Sequence, residues 1–173
     1  MNIAVIGAAR DCEERILQKS FELGQEIAKR KCELFVGGCH GYPHAAAKGA
    51  FSAGGTVVAY SPGKDQEEHI VTYHFPIDGF SRIEFTGLGI PRRNYPLVSE
   101  AEGVIMIGGQ IGSLNEFTLA FHLQKKIGIL MGTGGIVDVI PDIAKICDKK
   151  GESKNMVYSE NGKELIERLL TMH

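Results

Sequence analysis

Two kinds of segment alternate along the chain. Short, often β-branched apolar runs are separated by longer stretches whose apolar residues recur at helical spacing. The runs predict strands over Asn2–Ile6, Leu34–Val36, Thr56–Ala59, Arg82–Thr86, Gly103–Ile107, Ile127–Leu130 and a short Met156–Tyr158. In Val104-Ile105-Met106-Ile107 consecutive positions are apolar, the pattern of a strand covered on both faces. The intervening stretches predict helices over Cys12–Lys31, Tyr42–Ala53, Pro91–Ala101, Ser113–Gln124, Val137–Cys147 and Gly162–Leu170. In the first of these, Ile16, Leu17, Phe21, Gly24, Ile27 and Ala28 form one stripe, Glu13, Glu14, Gln18 and Lys29 face outward, and Asp11 is the expected N-cap. Pro91 suits a helix start, and Pro96 is expected to kink or shorten the same helix. Alternating strands and helices of this kind imply an α/β fold: a Rossmann-like three-layer α/β/α arrangement around a mostly parallel sheet of about seven strands.

Residues 61–80 break the pattern. Pro62, Gly63, Pro76 and Gly79 punctuate a stretch of mixed polarity with His69 and His74, which reads as a long connection or flap. Long ordered connections in compact domains are frequently functional.

A length of 173 residues fits one domain spanning 1–173. The hydrophobic fraction of 43% and charged fraction of 23% are ordinary for a globular chain, and no apolar run reaches the length of a membrane span. The apolar N-terminus lacks a basic lead and runs straight into Gly7, so it reads as a strand, and a cytoplasmic location is expected. Cys12, Cys32, Cys39 and Cys147 show no CxxC pairing and are expected as free thiols. A net charge of −2 argues against a polybasic nucleic-acid footprint, so the expected partner is a small molecule, with no membrane and no nucleic-acid polymer.

The chemistry is expected where parallel strands run into helices. Glycines collect there: Gly7, Gly37-Gly38, Gly108-Gly109 and Gly132-Thr133-Gly134-Gly135. Glycine lets backbone approach a ligand closely, and helix N-termini offer free amides and partial positive charge, so a phosphate is the natural guest. No stretch has GxGxxG spacing, which disfavours an NAD site.

The most informative block is Gly108-Gly109-Gln110-Ile111-Gly112-Ser113-Leu114-Asn115-Glu116. Two readings of it stand side by side. Amides near Gly112 and Ser113 could hold a phosphate, with Glu116 one turn on as an acid or base. Alternatively, Ser113 caps the helix and Glu116 closes a Ser-x-x-Glu capping box. His40 and His44 share an i, i+4 spacing, but Gly41 and Pro43 put them at a loop-to-helix junction, so no metal site is expected. Cys39 reads as a small turn residue rather than a reactive thiol, and Lys149, Lys150 and Lys154 as a solvated loop face.

The block resembles the PGGxGTxxE signature of the "possible lysine decarboxylase" family, to which the Lonely Guy phosphoribohydrolases belong. Pro91-Arg92-Arg93-Asn94-Tyr95-Pro96-Leu97 lies at the distance of that family's Arg-Lys motif, and the likeness extends through Gly37-Gly38, Ala47–Ala50 and Pro62. The chain departs from the signature at Gly108, Gln110 and Ser113, and Asn94 replaces the lysine. Arg93-Asn94, together with Gly132-Thr133-Gly134-Gly135, looks more like a sister branch of Rossmann nucleotide-binding proteins that includes the molybdenum-cofactor carrier proteins.

The resemblance implies that Arg93 and Glu116 serve catalysis, if there is any. Ligand binding then falls to Gly7, Gly38, Asn94, Gly108, Gly109, Gln110, Gly112, Ser113, Thr133 and Gly134. It implies cleavage of a nucleoside 5′-monophosphate at its N-glycosidic bond or, alternatively, a carrier without turnover. No resident cofactor is expected, and a homodimer or higher assembly is expected through the helices at Pro91–Ala101 and Ser113–Gln124.

Overall fold

A computed structural model describes residues 1–148 and 151–172, in which seven strands form one sheet. Lys149 and Lys150 lie outside the described residues. The strands are β1 (Asn2–Gly7), β2 (Glu33–Val36), β3 (Val57–Ser61), β4 (Arg82–Phe85), β5 (Gly103–Ile107), β6 (Lys126–Leu130) and β7 (Met156–Ser159). They lie in the order β4-β3-β2-β1-β5-β6-β7, and every pairing is parallel. The chain therefore builds outward from β1 to one side, returns, and continues from β5 to the other. The reversal falls between β1 and β5, which pair from Ile3–Gly103 to Gly7–Ile107. A crevice opens at the carboxyl ends of strands at such a point, and this is where open α/β sheets take their ligands.

Six helices complete the layers in the described residues: α1 (Glu14–Lys29), α2 (Tyr42–Ser52), α3 (Gly89–Ser99), α4 (Ile111–His122), α5 (Ile140–Cys147) and α6 (Gly162–Thr171). Alternate strand residues feed two separate cores. Ile3, Val5, Leu34, Val36, Ile105 and Ile107 pack with α1, α2 and α6, while Ala4, Ile6, Phe35, Val104, Met106 and Ile129 pack with α3, α4 and α5. Burial on both sheet faces explains why these strands are apolar at consecutive positions. No helix among the described residues is long and apolar enough to cross a membrane.

The elements fall where the hydrophobic pattern predicts, with shifts at their ends that have physical causes. Helix α1 begins at Glu14 with Glu13 at the N-cap position, and Asp11, at φ 52°, turns the loop instead of capping the helix. Ser20 and Leu23 join its buried stripe, the Ser20 hydroxyl donating to the Ile16 carbonyl at 2.7 Å, while Phe21 is only partly covered. Helix α3 starts two residues before Pro91 and runs through Pro96. The hydrogen bond that Pro96 cannot make belongs to the carbonyl of exposed Arg92, which faces solvent, so the helix continues. The predicted helix from Val137 divides into a 3-10 turn over Gly135–Val139 and α5.

Candidate functional site

The carboxyl edge at the β1–β5 reversal carries a cavity of about 400 Å³. Its polar lining comes from Gly7 at the end of β1, Arg10 from the loop that follows, Arg93 and Asn94 from α3, and Gln110, Gly112, Ser113 and Glu116 from the N-cap and first turns of α4. Phe75, Ile90 and Ile111 add large apolar side chains to the lining. A volume of this size suits a nucleotide-sized molecule.

Helix α4 begins at Ile111, with Gln110 in the N-cap position and no side-chain cap. The predicted capping box is therefore not formed. Ser113 lies inside the first turn and Glu116 in the second, too far along the helix to cap its end. Early residues of a helix have amides without intrahelical acceptors, and here those of Gln110, Ile111, Gly112 and Ser113 belong to residues that line the cavity. Gly109 makes this arrangement possible. It adopts φ 103°, and a Cβ on it would lie 2.5 Å from the Ser113 Cβ.

Arg93 is 3% exposed and its guanidinium lies over Gly37, where a Cβ would stand 2.8 Å from Cζ. Its Nη1 donates to Glu116 Oε1 at 3.4 Å, and its buried Nε has no hydrogen-bond partner. Burial raises the Glu116 carboxyl to about 7, against the opposing pull of Arg93. Near neutrality Glu116 is thus only partly ionised, and it compensates the buried cation incompletely. A guanidinium in this condition favours an incoming anion. Arg10 adds an exposed cation to the lining whose side chain makes no hydrogen bond or ion pair among the described residues, its carbonyl accepting from Cys12 Sγ at 3.5 Å. Asn94 is buried and donates through Nδ2 to Asn115 Oδ1 at 2.8 Å, tying α3 to α4.

All four glycine clusters lie at the carboxyl edge, but they do different things. Gly7 lines the cavity. Gly108, at φ 55°, turns the chain behind it against Tyr42 and donates its amide to Thr133 Oγ1 at 2.9 Å. Thr133 in turn donates to the Leu130 carbonyl at 2.6 Å, and Ile136 donates its amide to the Gly109 carbonyl at 2.8 Å. Thr133 therefore braces the Gly108-Gly109 turn from behind and does not line the cavity, and Gly134 beside it is outside the lining too. Gly38 is also outside the lining: at φ 72° it faces the ring of His69, whose Cε1 would be 3.3 Å from a Cβ there.

Residues 62–80 contain a π-helical turn over Glu68–Thr72 and are fastened by three histidine rings. His40 Nε2 lies 2.9 Å from the His74 carbonyl, His69 Nε2 2.8 Å from the Pro76 carbonyl, and His44 Nε2 3.0 Å from the Asp78 carbonyl. These contacts give His40 and His44 a structural role, and the described residues contain no cluster of three or more groups able to hold a metal. Cys39 lines the cavity, and burial lifts its thiol to about 11, so it is not a thiolate nucleophile at neutral pH.

Three contributors to this region carry no role in the sequence reading. Arg10 follows the Gly7 turn but sits in no motif with a role of its own, and Gly37, read there as part of a glycine cluster, seats Arg93. Phe75 and Ile90 reach the cavity through tertiary packing that no local spacing announces.

The SLOG cluster4 family model matches residues 1–166. The chain belongs to this family. An uncharacterized protein of Archaeoglobus fulgidus is 33% identical over 131 residues, covering 75% of this chain and 80% of that protein. Among solved structures, TM1055, a structural genomics target, is similar with a TM-score of 0.82 at 25% identity, covering 98% of both chains. The molybdenum cofactor binding protein of Rippkaea orientalis is similar with a TM-score of 0.79 at 26% identity, covering 98% of this chain and 97% of that one. The match is to SLOG cluster4 and does not extend to the Lonely Guy assignment.

Proposed function

We propose that this protein binds a phosphorylated, nucleotide-like small molecule in the cavity at the β1–β5 reversal. The observation that carries the reading is the buried Arg93 guanidinium beside the first turn of α4, with an unpartnered Nε and a single 3.4 Å ion pair to Glu116. Together they favour an anion more strongly than either alone. Thermal stabilisation of the protein by adenosine 5′-monophosphate, lost in Arg93→Ala, tests the reading. An unchanged melting temperature at millimolar ligand would overturn it. Salt-sensitive binding of a single-stranded oligonucleotide in preference to the mononucleotide would overturn the choice of a small ligand over a polymer.

For the chemistry, Glu116 and Arg93 suit cleavage of an N-glycosidic bond. Water adds at C1′ as the bond to the base breaks, the base leaves with the electron pair, and a carboxyl titrating near neutrality relays the proton. A second reading is a carrier without turnover, favoured by the similarity to the Rippkaea orientalis molybdenum cofactor binding protein. Free adenine released from adenosine monophosphate and absent with Glu116→Gln supports hydrolysis; stabilisation with no release supports the carrier.

Self-association is part of the same proposal. Ile90, Tyr95 and Ile111 on α3 and α4 are exposed at 45%, 55% and 80%, apolar surface suited to a second copy, with Ile90 and Ile111 also lining the cavity. Light scattering is expected to report at least a dimer, and a monomeric mass would refute it.

A further inference from the structure

The cavity lining combines groups in a way that an anion alone does not explain. Beside the cations and first-turn amides it includes the apolar side chains of Phe75, Ile90 and Ile111. Ile90 and Ile111 come from helix starts already at the site, but Phe75 is delivered by the 62–80 connection, and that segment is tightly held. His69 is fully buried, and its ring is bonded at both nitrogens, Nδ1 to Ser61 Oγ and Nε2 to the Pro76 carbonyl, each at 2.8 Å. The Pro76 carbonyl can only accept, so Nε2 carries the hydrogen. The same ring meets Phe75 edge-on with centroids 5.6 Å apart, and Tyr73 packs on Phe75 from a further 5.6 Å. Beneath it, Gly38 leaves the space the imidazole occupies. Phe75 is thus preorganised at the cavity wall before any ligand arrives, and an aromatic ring held in this way offers contact to a planar ligand at little entropic cost.

We infer that Phe75, held by His69, is the residue that selects ligands carrying a planar heterocyclic ring at this site. The inference rests on the anion-binding reading above and adds to it: the ring lies against Phe75 while the phosphate sits toward Arg93 and the first turn of α4. His69 acts through Phe75 and is a positioning residue.

Adenosine 5′-monophosphate and ribose 5-phosphate share the anion and differ in the ring, so calorimetric titration with both separates the two contributions. The wild type is expected to bind the nucleotide at least tenfold more tightly than the sugar phosphate, in line with base–aromatic stacking elsewhere. Phe75→Leu is expected to erase most of that preference while leaving ribose 5-phosphate affinity unchanged. His69→Ala is expected to do the same, and His69→Gln, which restores an N–H near the Pro76 carbonyl, to recover part of it. A merely structural loss would lower both affinities together. Equal wild-type affinity for the two probes would overturn the inference and leave the anion site standing, as would a preference that survives in Phe75→Leu. Binding of neither probe by the wild type would overturn both readings.

Discussion

Gly37 lies directly beneath the guanidinium of Arg93, so close that a Cβ would stand 2.8 Å from Cζ and 2.9 Å from Nη2. The glycine after β2 therefore decides where the buried cation of the site can rest. Because the obstructing atoms belong to the far end of a flexible side chain, Gly37→Ala is expected to move Arg93 with little loss of stability, on the order of 1 kcal/mol. Gly7→Ala offers the contrast. Its Cβ would press on the Ile107 backbone, with the carbonyl carbon at 3.1 Å, so it should cost more stability. Urea unfolding and nucleotide titration on both variants check this: a Gly37→Ala protein that binds as the wild type does would show that the seat of Arg93 is irrelevant to the ligand.

Glu116 sets a pH dependence whose sign follows from its burial. Its carboxyl rises from 4.5 to about 7 on folding, so the native state holds a proton that the unfolded chain has released. The stability this contributes is complete below the unfolded value and is lost as pH climbs through about 7. At roughly 1.4 kcal/mol per pH unit, the full swing is of order 3 kcal/mol. Glu116→Gln should match the wild type near pH 5 and become relatively more stable by pH 8. Parallel pH profiles for the two proteins, measured by urea midpoints, would count against a raised carboxyl.

The fold was legible because sheet burial on both faces writes itself into consecutive apolar positions such as Val104–Ile107, and because glycines mark the carboxyl edge. The site was legible in part. Arg93, Asn94, Glu116 and the Gln110–Ser113 turn meet around one cavity. Gly38 and Thr133, which carry the same local signal as Gly7, support the 62–80 connection and the Gly108 turn instead. A glycine at a strand end records a backbone need, and the sequence does not say whether a ligand or another part of the chain meets it. Phe75 and the three histidine contacts were illegible because they join residues 34, 7 and 34 positions apart with no shared periodicity.

The four cysteines should separate by accessibility. Cys147 is exposed, Cys12 and Cys39 are partly covered and Cys32 is buried; burial raises the thiols of the last three, that of Cys39 to about 11. Iodoacetamide at pH 8 under native conditions should modify Cys147 first and leave Cys39 unreacted, as peptide mass spectrometry would record. Fast alkylation of Cys39 would mean that the thiol is activated and that a nucleophile has been overlooked in the cavity.

Two helical glycines should respond to alanine in opposite ways. Gly24 in α1 meets α2 backbone to backbone: a Cβ would fall 2.7 Å from the Ala46 carbonyl carbon and 2.9 Å from the Ala50 amide nitrogen. Helix propensity favours alanine by about 1 kcal/mol, but prying two helices apart costs about 1–3 kcal/mol or more, and rigid backbone on the opposing side puts Gly24→Ala at the upper end. A net loss of about 2 kcal/mol, roughly 4–8 °C in Tm, is expected. At Gly112 in α4 nothing lies within 4 Å of the added carbon, so stability should hold or rise slightly. That carbon belongs to a residue of the cavity wall, however, beside the first-turn amides, so nucleotide affinity should fall. Thermal unfolding and titration of the pair would separate packing from binding, and a Gly112→Ala variant with unaltered affinity would move the phosphate away from the first turn of α4.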